Sequence, residues 1–271
     1  MLAGPGSAWA SPVSDEVPAD EEIRAGSVLP ALRRPITFTT SDGVRLIGEV
    51  AVPVGRPAVA TLVCVHPLPT HGGMMDSHLL RKAAWRLPAL ADIAVVRFNT
   101  RGTASAAGVS DGAFDASDGE GEDLDSVVDW VRHAGLPDPW LLGWSFGSDV
   151  VLRHGVHLQP AGVILVSPSL RYTSPEEVRR WNELTCPMLC LVPEHDDVLG
   201  PKEARERLAV IARVQIEVGR GAVHLWVGEA YVKMVLDAVV ARLAPDRAPL
   251  PGTWSADRAL REGPMERWSD L

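Results

Sequence analysis

With 271 residues, 46% of them hydrophobic, the chain is long enough to bury one sizeable α/β core. Its formal charge of −9 is spread rather than clustered, which argues against nucleic acid or an anionic membrane surface as a partner. Three cysteines make no even-numbered disulfide framework, no apolar stretch reaches the roughly 20 residues that cross a bilayer, and the start lacks the basic and apolar regions of a secretory signal, so a cytoplasmic protein is expected.

Residues 1–34, rich in Pro, Ala, Asp and Glu without a sustained period, read as a mobile N-terminal arm. The folded domain is expected over 35–243. It opens with a hairpin, in which alternating segments 36–39 and 44–50 flank the turn Ser41-Asp42-Gly43. The pattern then changes to continuous apolar runs at 60–65, 94–98, 140–142, 162–166 and 188–192, as expected for strands buried on both faces, and a more polar strand follows at 214–218. Helical stretches near 77–87, 121–134, 148–157, 175–184, 202–211 and 226–243 fall between or after them. Strands alternating with helices predict an α/β fold with a mostly parallel sheet and helices on both faces. Only about 21 residues separate the runs ending at Val166 and starting at Met188, room for one helix and not for a cap domain. The proline-rich segment 244–271 reads as an extended C-terminal tail.

The most informative motif is Gly143-Trp144-Ser145-Phe146-Gly147, which follows an apolar run and opens a helix. A serine at the apex of a sharp strand-to-helix turn exposes its Oγ, and flanking glycines let backbone approach where a Cβ would clash. Such a hydroxyl is a weak nucleophile until a neighbouring base takes its proton. His224, on the loop after 214–218, is the candidate base. The candidate acid is Asp196, four residues past the 188–192 run, with Asp197 the alternative. Acyl transfer further needs two backbone N–H donors for the developing oxyanion. Phe146 supplies one. In the loop His66-Pro67-Leu68-Pro69 the prolines have no N–H, which leaves Leu68 as the other. His66 is read as shaping that loop, and Asn99 and Arg101-Gly102 as fixing the loop that leads to Gly112. Met74, Met75 and Trp226 flank the Leu68 loop and His224, where they either line an acyl pocket or pack in the core. No metal or cofactor is expected. The acidic run 115–125 reads as a solvated loop and helix start, and His154-x-x-His157 lacks a nearby carboxylate.

These motifs carry a resemblance. Over roughly residues 36–243 the chain resembles the α/β-hydrolase superfamily. More narrowly, it is similar to small, lid-poor bacterial members with three successive motifs: His66-Pro67-Leu68-Pro69…Gly72-Gly73-Met74-Met75, Arg97-Phe98-Asn99-Thr100-Arg101-Gly102, and Gly143-Trp144-Ser145-Phe146-Gly147. The resemblance implies an eight-stranded, mostly parallel α/β-hydrolase sheet with little or no cap domain. It also implies a Ser145–His224–Asp196 triad with Leu68 and Phe146 as oxyanion donors. Many relatives carry His-Gly where this chain has His66-Pro67, so a stiffer loop is expected. The resemblance itself supplies no substrate. Ser145 with its base and acid is read as a serine hydrolase that cleaves a carboxylic ester or thioester of a small-molecule acyl substrate. An acyltransferase would share every residue, and a silent binding protein on the same scaffold would be expected to lack one of the three. The sequence assigns neither an acyl group nor an oligomeric state.

Overall fold

Alternation within the apolar runs produces the layers of this molecule, whose computed structural model describes residues 20–255. Its strands are β1 (Glu21–Glu22), β2 (Leu32–Thr39), β3 (Arg45–Val52), β4 (Ala60–Val65), β5 (Ile93–Phe98), the two-residue pair β6 (Ala104–Ser105) and β7 (Gly108–Val109), β8 (Pro139–Trp144), β9 (Gly162–Val166), β10 (Met188–His195), β11 (Val214–Val223) and β12 (Thr253–Trp254). Eight of them form one sheet in the order β11-β10-β9-β8-β4-β5-β3-β2. The β2/β3 and β3/β5 pairings are antiparallel, and every other neighbour in the sheet is parallel.

Leu62, Cys64, Leu142, Trp144, Ile164 and Val166 face one layer, formed by helices α1 (His78–Ala91) and α6 (Glu229–Leu243). Val63, Val65, Leu141, Val163 and Leu165 face the other, formed by α2 (Glu120–His133), α3 (Phe146–His154) and the shorter α4 (Pro175–Arg180) and α5 (Pro201–Leu208). The period of two along each strand thus fills two cores at once, which is why the central strands read as unbroken apolar runs. Cys64 and Cys190 are free and buried in these cores, and burial pushes the Cys64 thiol up to about 12.

Between β9 and β10 there is α4 and one 3-10 turn (Trp181–Glu183), so no cap is inserted at that point. No helix among the described residues is long and apolar enough to cross a membrane.

The expected arm and tail differ in their described parts. β2 begins at Leu32 rather than Ile36, and Leu29 and Ala31 just before it are buried. At the other end Leu250 is buried, and β12 pairs antiparallel with β1, so residues flanking the domain on both sides are bound to each other. Burial of a few apolar side chains outweighs a proline-rich composition here. Residues 1–19 and 256–271, including Trp268, lie outside the described residues.

Candidate active site

β8 stops at Trp144 because Ser145 leaves extended space, with φ 54° and ψ −115°, before α3 begins at Phe146. A non-glycine residue held at positive φ costs about 1–3 kcal/mol and persists only when its surroundings impose it. Here the Ser145 amide donates to the Val166 carbonyl (2.9 Å), and Ser148 Oγ donates to the Gly143 carbonyl (2.7 Å). A Cβ on Gly143 would strike the Gly147 carbonyl, and one on Gly147 would strike the carbonyl of Val65 on β4. Both glycines are therefore required by backbone approach, and the serine between them is fixed at the carboxyl edge of the sheet.

His224 and Asp196 reach the same place from later strand ends. His224 Nε2 lies 2.9 Å from Ser145 Oγ, and its Nδ1 lies 2.9 Å from Asp196 Oδ1. The Asp196 side chain is fully buried, and its Oδ1 also accepts from the amides of Val198 (2.8 Å) and Leu199 (3.2 Å). A carboxylate so placed accepts a hydrogen bond from Nδ1–H and leaves the Nε2 lone pair for the serine hydroxyl. Asp197 is exposed and makes no hydrogen bond to His224 among the described residues. Asp196, Asp197 and His224 are close enough to serve together as metal donors, with ligand atoms within 4.8 Å of one another. His224 Nδ1 is already committed to Asp196, so they offer an ion no independent set.

The carbonyl of His224 accepts from Ser167 Oγ (2.9 Å) and from Trp144 Nε1 (3.5 Å), while Trp226 Nε1 donates to Ser167 Oγ (2.8 Å). Ser167 is a position that sequence reasoning missed. The available signal was a small polar residue directly past β9, at the strand edge where the other site residues gather.

The Leu68 loop is built around His66. This side chain is fully buried, and burial pushes its imidazole down to about 4, so it is neutral at pH 7. Its Nε2 accepts from the Thr100 amide (3.1 Å), which assigns the proton to Nδ1, and Nδ1 donates to the Pro67 carbonyl (2.7 Å). In a trans peptide the N–H points opposite the C=O. Holding the Pro67 carbonyl therefore aims the Leu68 N–H the other way. The Leu68 carbonyl accepts from the amides of His71 and Gly73 (both 3.0 Å), and a Cβ on Gly73 would strike the Pro67 carbonyl. The amides of Leu68 and Phe146 make no hydrogen bond among the described residues.

Ser145, Phe146, His224, Pro67 and Leu68 line one cleft of about 330 Å³. Its other walls are His71, Ser169, Arg171, Tyr172, Val198 and Leu225. Met74, Met75 and Trp226 are not among its lining residues. Met75 is buried, its amide bound to Asn99 Oδ1 (2.9 Å) and its carbonyl to Arg97 Nη1 (2.8 Å). The Met74 amide is tied to Ser77 Oγ (3.1 Å). Trp226 packs its ring over Gly219 in the α1/α6 core. Of the two readings for these three residues, packing fits Met75 and Trp226. Apolar side chains beside a reactive group in sequence turn to the nearest core when polar anchors fix the backbone between.

The wall that does line the cleft comes from residues 169–173. Buried Asp149 on α3 holds it, accepting from Ser169 Oγ, from the Tyr172 amide (3.0 Å) and from Thr173 Oγ1 (2.7 Å). Burial raises the Asp149 carboxyl, against the pull of these donors. Tyr172 meets Phe146 edge to face at 5.5 Å.

Similarity to known structures agrees with this fold. A lid-less α/β serine hydrolase from Xanthomonas campestris matches at 27% identity and TM-score 0.64, over 83% of this chain and 98% of that one. An α/β serine hydrolase homologue from Coxiella burnetii matches at 27% identity and TM-score 0.65, over 78% and 97%. An esterase from Pyrococcus furiosus, at 17% identity and TM-score 0.65 over 79% and 90%, shares the fold. No family model matches the sequence, and no curated protein does. The chain has the α/β-hydrolase fold, and its structural neighbours are α/β serine hydrolases and esterases.

Proposed function

We propose that this α/β-hydrolase-fold protein is a serine hydrolase that cleaves a carboxylic ester or thioester through an acyl-enzyme on Ser145. The observation that carries the reading is the unbroken hydrogen-bonded line Ser145 Oγ–His224–Asp196, opening onto a cleft of about 330 Å³. In this mechanism Ser145 Oγ attacks the substrate carbonyl while His224 Nε2 takes its proton. The negative charge that collects on the carbonyl oxygen is met by the N–H groups of Leu68 and Phe146. The C–O or C–S bond then breaks, and His224 returns the proton to the departing alcohol or thiol. Water, deprotonated by His224, then attacks the acyl carbon, the acyl–Oγ bond breaks to release the acid, and His224 returns the proton to Ser145 Oγ. Asp196 keeps Nδ1 protonated through both halves and stabilises the imidazolium.

The modest volume, and the absence of a cap between β9 and β10, suit short or exposed acyl groups rather than long chains buried under a lid. The three free thiols suit a reducing compartment such as the cytoplasm. Hydrolysis of p-nitrophenyl esters from acetate to decanoate, by wild type beside Ser145→Ala, tests the reading. Expected is turnover that is lost in the variant and peaks at a short chain. Equal rates in both proteins would sink it. Faster nitrophenol release on adding an alcohol or amine would instead identify an acyltransferase on the same residues.

A further inference from the structure

Resting on that reading, we infer that the substrate is anionic, an ester or thioester bearing a carboxylate or phosphate, and that Arg171 is the residue that selects it. Three observations converge on this side chain. First, Arg171 lines the cleft that holds Ser145 and His224. Among the described residues its side chain makes no ion pair and no hydrogen bond, and its guanidinium lies 5.8 Å from the centre of the Tyr172 ring. Second, no Asp or Glu lines that cleft, although the chain has 35 acidic residues and a net charge of −9. Asp196 sits behind His224 with its side chain fully buried. The permanent cation therefore faces a cleft without a competing carboxylate.

Third, the backbone presenting Arg171 is fixed on either side. Ser169, Tyr172 and Thr173 are all held by buried Asp149, and the Leu170 carbonyl accepts from Arg207 Nη2 (2.6 Å). Within the 169–173 segment only Arg171 lacks a polar tether. A guanidinium so mounted binds a carboxylate or phosphate with two parallel N–H donors and draws anions toward the cleft mouth.

The test compares kcat/KM for p-nitrophenyl butyrate, p-nitrophenyl hemiglutarate and 4-butyryloxybenzoate in wild type, Arg171→Gln and Arg171→Lys. The hemiglutarate carries its charge on the acyl side, and the benzoate carries it on the leaving group. Loss of a charge-assisted contact predicts that Arg171→Gln lowers kcat/KM for one of the two anions at least about tenfold more than for the butyrate. Arg171→Lys should recover part of that selectivity, and added salt should erode it. Which anion responds tells whether the charge belongs to the acyl or the leaving group. Equal effects on neutral and anionic esters, or none, would overturn the inference. A second readout does not need turnover: calorimetric titration of Ser145→Ala with monomethyl glutarate and with phenyl phosphate, with and without Arg171→Gln. Binding of either that depends on Arg171 supports the inference even if no ester is cleaved, whereas binding of neither, or binding indifferent to Arg171, refutes it.

Discussion

The Ser145 elbow and the 169–173 wall border the same cleft, yet they are held in place by opposite means. At the elbow the constraint is backbone against backbone: two glycines in contact with carbonyls, an amide bound to the next strand, and a serine forced to φ 54°. At the wall it is side chain against loop: the buried carboxylate of Asp149 gathers two hydroxyls and an amide, and Arg207 holds the Leu170 carbonyl. The first arrangement tolerates almost no change and positions the reacting atom. The second keeps a loop in shape while leaving its exposed residue free to vary. That division suits an enzyme whose chemistry is fixed and whose substrate is set by the loop.

The largest effect should come from the acid that the elbow serves. Asp196→Asn should lower kcat on p-nitrophenyl butyrate by roughly 10³–10⁴-fold, since an amide favours the wrong imidazole tautomer. Asp197→Asn, on an exposed side chain, should change it less than about tenfold. Comparable losses in both would mean that the acid is misassigned.

Next is acid stability, which draws on His66 beneath the Leu68 loop. Its folded imidazole sits near 4 against an ordinary 6.5, so the native state binds fewer protons than the unfolded chain between those values. Its contribution is therefore complete above pH 6.5 and is lost as pH falls toward 4, about 3 kcal/mol in all. Denaturant midpoints measured from pH 7 to pH 4 should show this slope in wild type and lack that part of it in His66→Gln, which will also be less stable throughout.

Gly147→Ala should cost stability at the upper end of the roughly 1–3 kcal/mol of overpacking and take most of the activity with it, because the Val65 carbonyl belongs to a central strand and cannot yield. Asp149→Asn should be the mildest. It keeps one acceptor oxygen and loses about 1–2 kcal/mol by thermal melting, with KM rising more than kcat falls. A kcat loss as steep as that of Asp196→Asn would erase the distinction between elbow and wall.

These two regions also explain what could be read from the sequence. Gly143, Ser145 and Gly147 stand out because the turn sets them at a fixed local spacing, although Gly147 and Ser145 also answer to Val65 and Val166 on neighbouring strands. The central strands stand out because burial on both faces leaves unbroken apolar runs. Asp196 and His224 were traceable as polar residues just past strand ends, where a parallel sheet gathers its loops. The wall was opaque: Asp149 sits in a helix 20 residues before Ser169, and nothing in the spacing announces their contact. Trp226 misled for a related reason. It adjoins His224 in sequence, but with φ 50° its side chain turns into the α1/α6 core, and α6 starts at Glu229 instead of 226. The docking of Leu29, Ala31 and Leu250 likewise depends on partners distant in the chain.

Labelling with a fluorophosphonate, followed by intact-mass and peptide mapping, tests most directly whether Ser145 is an activated nucleophile. Expected is a single adduct, located on Ser145, that forms at least about a hundredfold more slowly in His224→Ala, where the general base is gone. A protein that stays unlabelled at Ser145, while a control serine hydrolase in the same tube is fully modified, would contradict it.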